Sequence, residues 1–311
     1  MSSSIIAINE LSPERRALFK RLTSAPRVAW PTVLLWLGAT LSFIVTDTLA
    51  VTGEIPLWIG TLINGTVGYL AFSVGHDSIH RAISTNVKLN DWIGQLGILL
   101  VAPYVNMPMF RWAHILHHRF TNGERDPDRI FNGPWWSLPF RWMFIDLLYF
   151  KHALQKGDKI SKPYLRKSIQ AAIVVAAVIA GLTWAGYGME VLMLWAIPSR
   201  IIFLALGFSF FWLPHVPHDT AQEDNFTRAT TIREGHEWLM APVLQYQHAH
   251  LIHHLFPMTP FYNNGKVWKL LEPELRRKDL AIQHGFAIRP TIYPGIEAAA
   301  VPDTAKIARA A

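Results

Sequence analysis

Residues 55–80 read IPLWIGTLINGTVGYLAFSVGHDSIH, an apolar stretch that runs directly into a pair of histidines, His76 and His80. About 20 apolar residues are enough for a helix to cross a bilayer, and residues 55–74 reach that length. If the helix continues beyond its apolar part, histidines at i and i+4 lie on one face of it. The stretch therefore predicts a membrane-spanning helix that ends in a candidate metal site.

Three further apolar stretches are long enough to cross a bilayer. Residues 28–51 precede the first stretch, and only a turn at residues 52–54 separates the two, which predicts a tight helical hairpin. The other two stretches cover residues 169–187 and 191–213, although Arg200 interrupts the last. We therefore expect four membrane-spanning helices.

Two shorter apolar stretches, residues 93–110 and 135–150, contain Pro, Asn and Arg. We interpret both as interfacial or re-entrant segments. The alternative is that one of them spans the membrane, which would change the topology.

The composition and the placement of charge agree with a membrane protein. Hydrophobic residues make up 51% of the chain and charged residues only 16%, whereas soluble domains carry about 25% charged residues. Apart from Arg200, every Lys and Arg lies before residue 28, between residues 77 and 167, or after residue 213. Because Lys and Arg concentrate on the cytoplasmic side of membrane proteins, both termini are predicted to be cytoplasmic.

The net charge of +7 does not indicate nucleic-acid binding, because four apolar stretches separate the charges. We therefore expect membrane lipid, and no nucleic acid, as a partner. The absence of cysteine excludes disulfides, thiolate zinc sites, iron–sulfur clusters and a cysteine nucleophile in this sequence.

The histidines of this chain are concentrated in a few short clusters. Beside the first box, HILHH at residues 114–118 and HLIHH at residues 250–254 repeat the pattern HxxHH, and LPHVPH contains a further pair. The predicted topology places all of them on the cytoplasmic side, just beyond the lipid. The residues in question are His76, His80, His114, His117, His118, His215, His218, His250, His253 and His254.

The number of histidines indicates two metal ions. The three boxes hold eight histidines, which exceeds the four ligands of one zinc ion. Imidazole suits iron, copper, nickel and zinc, and iron is the choice that offers O₂ chemistry. A single HxxxH on a helix is common without any metal, but three boxes on one membrane face are hard to reach by chance.

Other polar residues near the boxes are candidates to orient the ligands by hydrogen bonds. Asp126 and Asp128 follow the second box, Asp77 lies inside the first, and His248 lies two residues before the third. For Asp126 and Asp128 the alternative is an Asp-Pro turn with an exposed basic rim. His218 is a candidate either for this role or as a ligand.

At GHDSIH, HILHH and HLIHH the sequence resembles the membrane fatty acid desaturase superfamily, whose histidine pattern it matches at every position. That superfamily contains acyl-lipid and acyl-CoA desaturases, hydroxylases and carotenoid-oxidising enzymes. Between Pro31 and Leu271, segments such as HILHHRFTNGERDPD, FWLPHVPH and HAHLIHHLFPMTPFY are most similar to the desaturase-like β-carotene 3-hydroxylases. His248 departs from that group, which tends to have Asn there.

The resemblance implies two non-haem iron ions, O₂, a separate electron donor such as a ferredoxin, and a lipid substrate. Because desaturases take a ligand from the region after the fourth span, it also adds His215. The implied ligands are His76, His80, His114, His117, His118, His215, His250, His253 and His254.

The expected fold is an all-α integral membrane protein with about four transmembrane helices and a cytoplasmic helical cap that holds the di-iron site. The expected division is an N-terminal cytoplasmic segment (1–27), a desaturase-like domain (28–285) and a C-terminal tail (286–311).

Three functions are compared. The first is desaturation or hydroxylation of a fatty acyl chain, and the second is 3-hydroxylation of a carotenoid ring. The third, a non-catalytic metal transporter, would require ligands near the bilayer midplane, whereas these ligands lie beyond the membrane ends.

Overall fold

The computed structural model describes residues 5–296, and residues 1–4 and 297–311, with the end of the predicted C-terminal tail, lie outside the described residues. The described chain is mostly helical. In chain order the helices are α1 (Pro13–Thr23), α2 (Trp30–Val51), α3 (Leu57–Ile79), α4 (Val87–Leu99), α5 (Met107–Phe120), α6 (Leu138–Met143), α7 (Ile145–Lys156), α8 (Ser161–Leu182), α9 (Gly188–Val191), α10 (Ile197–Leu206), α11 (Glu237–Val243), α12 (His250–Leu255) and α13 (Asn264–Leu275).

Three helical stretches among the described residues are long and apolar enough to cross a membrane. They are α2, α3 and the 55-residue stretch Ser161–His215. The last joins α8, α9 and α10 through π-helical turns, and a 3₁₀ turn ends it. The predicted hairpin of the first two spans therefore appears as two helices, whereas the predicted third and fourth spans lie in one continuous stretch.

The long stretch changes direction near Gly186. Close to its beginning, Tyr164 O accepts a hydrogen bond of 2.7 Å from Asn106 Nδ2, next to the start of α5. Further on, Met193 O accepts one of 2.6 Å from Thr61 Oγ1, near the start of α3 and far from its histidines. Gly186 lies between these contacts with a φ of 99°, a conformation that glycine adopts readily. The stretch therefore does not run on as one straight rod.

A small sheet corrects the all-α expectation. Strand β1 (Thr231–Glu234) pairs in parallel with β2 (Leu280–His284), which pairs antiparallel with β3 (Thr291–Tyr293). The strands are short, and the paired residues of β1 and β2 lie about fifty residues apart in the sequence. Local periodicity therefore does not predict them. Strand β3 lies in the segment that the sequence analysis assigns to the tail.

The sheet holds the chain that leads into the third histidine box. Ile232 forms an isolated antiparallel bridge with Ala249, the residue before His250. Arg233 N also donates a hydrogen bond of 2.6 Å to His248 O. These backbone contacts fix the position at which α12 begins.

Helix α1 packs against α13. Both Nη atoms of Arg15 in α1 donate to the Glu274 carboxylate in α13, each at 2.7 Å. Leu22 joins the buried cluster that contains Ile252 and Leu271. The beginning of the chain and the segment around the third box therefore share one hydrophobic core.

The close contact between α6 and the end of α10 depends on a glycine. A Cβ atom at Gly207 would lie 2.2 Å from Trp142 Cβ and 2.8 Å from Trp142 Cα. Because these atoms are the Cα and Cβ of Trp142, a change of its side-chain rotamer cannot relieve the clash.

We expect Gly207→Ala to lower the free energy of unfolding by about 1–3 kcal/mol, the usual cost of overpacking. Thermal unfolding of the purified protein in detergent measures this change. Gly38→Ala is the matched control, because nothing lies within 4 Å of its added Cβ and alanine favours a helix by up to about 1 kcal/mol. Equal stability of the two variants would contradict the close-contact argument.

Candidate metal centre

Four chain segments bring the predicted ligands to one place. The end of α3 carries His76 and the residue after it is His80, α5 carries the second box in its last turns, and α12 carries the third. His215 ends the long stretch. Asn106 caps α5, because its side chain accepts a hydrogen bond of 3.0 Å from Met109 N, and this fixes where the second box begins.

The first histidine cluster contains His76, His80, His114 and His253, whose nearest ring nitrogens all lie within 4.8 Å of one another. His76 Nε2 is 3.0 Å from His114 Nε2. His118 belongs to the same cluster, because its Nε2 lies 3.1 Å from that of His114 and 2.9 Å from that of His253. Residues from three segments therefore point one nitrogen each at a common centre.

The second histidine cluster contains His117, His215, His250 and His254. His250 Nε2 lies 3.0 Å from His215 Nε2 and 3.1 Å from His254 Nε2. The two clusters are adjacent, since the rings of His118 and His254 stack with their centroids 4.2 Å apart. The structure thus brings all nine predicted ligands together in two groups, and their role as ligands stays a prediction.

The spacing of the nitrogens fits metal ions. Two imidazole nitrogens bound at right angles to a metal at about 2.1 Å lie about 3.0 Å apart, and the five Nε2 pairs measure 2.9–3.1 Å. His80 Nε2 is buried and has no hydrogen-bond partner among the described residues. Because an unpaired buried polar atom is costly, a cation at this point would supply its partner.

The electrostatics keep most of these rings in the form that binds metals. Burial, together with the charge of Arg111 and His117, lowers the pKa of His80 to about 3. Burial and neighbouring imidazoles likewise hold the pKa well below its usual value in other box histidines. This group comprises His114, His118, His250, His253 and His254. A neutral imidazole is the form that donates its lone pair to a metal.

His117 differs because two carboxylates face it. Its Nδ1 lies 2.9 Å from Asp126 Oδ1 and 3.3 Å from Asp128 Oδ2. Burial alone lowers the pKa of His117, but the two carboxylates outweigh burial and raise the pKa to about 9. They therefore favour positive charge at the second cluster and fix the orientation of the ring.

Asp126 and Asp128 lie in an Asp-Pro turn and also face His117. Asp126 caps a 3₁₀ turn, since its Oδ1 accepts a hydrogen bond of 2.8 Å from Asp128 N, and Pro127 follows as an Asp-Pro turn requires. Tyr149 OH donates to Asp128. The turn buries the two carboxylates against His117, while Arg125 and Arg129 beside them stay exposed.

Asp77 and His248, two candidates to orient the ligands, have other surroundings in the structure. Asp77 accepts hydrogen bonds from Thr32 Oγ1 at 3.0 Å and from Phe261 N at 3.2 Å, so it joins α2 and α3 to the loop after the third box. His248 is buried with its ring beside Tyr246, and its Nδ1 has no hydrogen-bond partner in the described part of the chain. Within residues 5–296, neither side chain forms a hydrogen bond with a box histidine.

His218 faces a polar pocket beside the second histidine cluster. Its ring lies near that of Trp212, and the pocket encloses about 390 Å³ beside His117, His215, Asp126 and Asp128. Burial lowers the pKa of His218 to about 4. Its Nε2 has no partner among residues 5–296, and the ring adjoins the second cluster without joining it.

Two partners of the box histidines were missed by the sequence analysis. Gln247 Oε1 lies 2.5 Å from His250 Nδ1, and Thr121 Oγ1 lies 3.3 Å from His254 Nδ1. A glutamine oxygen can only accept, so His250 carries its proton on Nδ1 and leaves Nε2 free for a metal. Gln247 precedes the start of α12, where helical spacing gives no signal.

An apolar cavity adjoins the first cluster. It is lined mainly by aromatic and aliphatic side chains. Phe72 and Phe110 form its wall towards the metal centre, and their rings lie 6.2 Å from that of His76 and 6.1 Å from that of His114. Asp146, Tyr149 and Ser168 are the lining residues with polar groups among the described residues.

Comparison with known proteins agrees with this architecture. Residues 53–286 match the fatty acid desaturase family. A β-carotene ketolase from Paracoccus sp. (strain PC1) is 26% identical over 61% of this chain and 70% of its own length.

Plant desaturases are similar at comparable identity. An omega-6 fatty acid desaturase of chloroplasts from Glycine max is 27% identical over 70% of this chain, and an omega-3 desaturase of the endoplasmic reticulum from Nicotiana tabacum is 24% identical over 68% of it. The chain spans 55% of the former relative and 64% of the latter.

We expect Asp126→Asn to weaken metal binding by about 10–100-fold, because the group that orients His117 loses its charge. The measurement is the metal content per chain after purification and after dialysis against increasing chelator. Glu54→Gln is the control, since Glu54 is exposed in the turn before α3, at the opposite end of that helix from His76. Equal metal retention in both variants would argue against this role of Asp126.

Proposed function

Because this chain belongs to the fatty acid desaturase family, we propose that it is a membrane-bound, non-haem di-iron oxidoreductase that uses O₂ and two electrons to oxidise an unactivated C–H bond of a lipid. One observation carries the proposal: two adjacent histidine clusters adjoin an apolar cavity. Imidazole ligands suit iron, and an apolar cavity suits a substrate without polar groups.

The ligand assignment follows the two clusters. One iron would be held by His76, His80, His114, His118 and His253, and the other by His117, His215, His250 and His254. When bound, the irons would supply the O₂-derived oxidant that breaks a C–H bond. Since this sequence contains no cysteine for an iron–sulfur cluster, we propose that a separate donor such as a ferredoxin supplies the electrons.

The protein residues would orient and shield the reaction. Asp126 and Asp128 hold the ring of His117, and Gln247 holds the proton of His250 on Nδ1. The aromatic wall of the cavity keeps water away from the metals and presents a methylene group to them.

We also propose four membrane crossings with both termini in the cytoplasm. A straight 55-residue helix would measure about 80 Å against a hydrocarbon core of about 30 Å, and the stretch Ser161–His215 changes direction near Gly186. Its two halves therefore suit two crossings. The distribution of Lys and Arg supports the sidedness. Labelling of Thr52→Cys from the cytoplasmic side alone would contradict this topology.

A fatty acyl chain is the leading substrate, since the plant relatives are named as fatty acid desaturases. A carotenoid ring is the second candidate, because the Paracoccus relative is named as a β-carotene ketolase and the sequence is similar to carotenoid hydroxylases near its boxes. The same cavity would accept either lipid at its apolar wall.

We expect O₂-dependent oxidation of a lipid in cells that express the chain, with His117→Ala inactive. Lipids are profiled by mass spectrometry in cells with ordinary fatty acids and in cells that also make β-carotene. A new double bond or hydroxyl on acyl chains identifies a fatty acyl enzyme, and a newly oxidised carotenoid ring identifies the second candidate. If neither pool changes in iron-loaded cells with a ferredoxin system, both substrates are wrong.

We expect Val105→Phe to lower turnover while the metal content stays unchanged, because the larger ring occupies the apolar cavity that Val105 lines. Leu154→Phe is the matched control at an exposed position outside that lining. Initial rates and metal content are measured on the same preparations. Undiminished turnover in Val105→Phe would show that the cavity does not hold the substrate.

A further inference from the structure

An ion pair stands between the apolar cavity and the outside of the helix bundle. Arg200 Nη1 donates a hydrogen bond of 3.0 Å to Asp146 Oδ1, and its Nη2 donates one of 2.8 Å to Asp146 Oδ2. The Asp146 side chain is 4% exposed and lines the cavity, whereas that of Arg200 is 25% exposed. Asp146 is therefore the inner residue of the ion pair, and Arg200 is the outer one.

Arg200 lines a second apolar space, which we name the lateral groove. It is open on one side, and its other lining residues are all apolar. The lining of the lateral groove comprises Met143, Leu192, Ala196, Ile197, Arg200, Ile201 and Leu204.

The periodicity of α10 places Arg200 on the boundary between the two spaces. At 3.6 residues per turn, Phe203 and Leu206 lie about 60° and 120° to one side of Arg200, while Leu204 and Ile201 lie about 40° and 100° to the other. The first two residues line the cavity and the last two line the lateral groove. One side chain thus separates two apolar spaces along the helix.

Two groups outside the ion pair offer the Arg200 guanidinium an alternative position, while Tyr104 OH, which donates to Asp146, would remain with the carboxylate. Nη1 also donates a hydrogen bond of 3.1 Å to Met143 O, and the guanidinium lies 4.8 Å from the ring centre of Phe203 and 5.6 Å from that of Phe144. A charge in a membrane-spanning stretch is costly without polar partners. Met143 O and the face of Phe144 would retain part of that stabilisation if the guanidinium swung away from Asp146.

We propose that the lateral groove is the portal through which a lipid tail passes from the bilayer into the cavity, and that Arg200 is the side chain that closes it. The occupant is an apolar hydrocarbon tail, since the groove belongs to a stretch suited to a membrane and its lining is aliphatic except for Arg200. This inference rests on the proposed function for the destination of the tail. It adds the route, and a switch between open and closed states.

The first test uses the absence of native cysteine. Ala196→Cys places a single thiol in the lateral groove, and Ala176→Cys places one on an exposed position of α8 that lines none of the described cavities. Each variant is reconstituted in lipid nanodiscs and treated with benzyl methanethiosulfonate. A phospholipid with a diazirine in its acyl chain is then photoactivated, and mass spectrometry maps the labelled residues.

We expect modification of Ala196→Cys to remove most of the labelling of residues 98–113 in the cavity, and a reductant to restore it. The modified Ala176→Cys variant should keep its labelling. Unchanged cavity labelling in modified Ala196→Cys overturns the portal, and so does the absence of cavity labelling before any modification. Because labelling requires no turnover, a missing oxidised product would overturn only the proposed function.

The second test concerns the closing side chain. Arg200→Gln combined with Asp146→Asn removes both charges, so that neither remains buried without its partner. We expect faster labelling of the cavity than in the unaltered chain, at unchanged metal content. The control is Arg15→Gln with Glu274→Gln, which removes an ion pair of 2.7 Å elsewhere in the fold. Equal labelling rates in both double variants would show that Arg200 only anchors α7 to α10.

Discussion

The convergence of the histidine nitrogens is the constraint on which the rest of the structure depends. Nitrogens only 2.9–3.1 Å apart in a buried site cannot all be protonated, and unpaired neutral rings would lose their hydrogen bonds to water. Each helix that carries a box must therefore end at the same depth and face the same centre. The cap on α5, the sheet before α12 and the carboxylates beside His117 all serve that alignment.

The histidine positions could be predicted from the sequence because spacing on a helix dictates them. At i, i+3 and i+4, imidazoles share a face whatever the rest of the chain does, and the apolar stretches fix which end of each helix the boxes occupy. The partners of the rings follow a different rule. Gln247 reaches His250 across the irregular turn before α12, and Asp77 turns away from its own box to Thr32 and Phe261. Such contacts depend on tertiary packing, which no local pattern encodes.

The sheet and the apolar stretches also show what local sequence patterns do not predict. Strands β1 and β2 pair across about fifty residues of intervening chain, so their short sequences carry no signal of their own. The apolar stretches could be predicted because apolar length is a local property, yet the change of direction at Gly186 depends on a backbone conformation that hydropathy does not record. Composition thus predicts where lipid contacts the protein, and packing decides how the helices are connected.

The salt bridge between Arg15 and Glu274 joins α1 to α13, the first and last α-helices of residues 5–296. A ribosome makes α1 long before α13, so α1 can form this contact only after the apolar stretches between them have been synthesised. The third box emerges late as well, after all the apolar stretches. Both histidine clusters contain residues of this box, so neither can be completed on a nascent chain that lacks its C-terminal quarter. Packing of α1 against α13 and completion of the two histidine clusters are consequently late and coupled events in biogenesis, and a prematurely terminated chain would have both clusters incomplete.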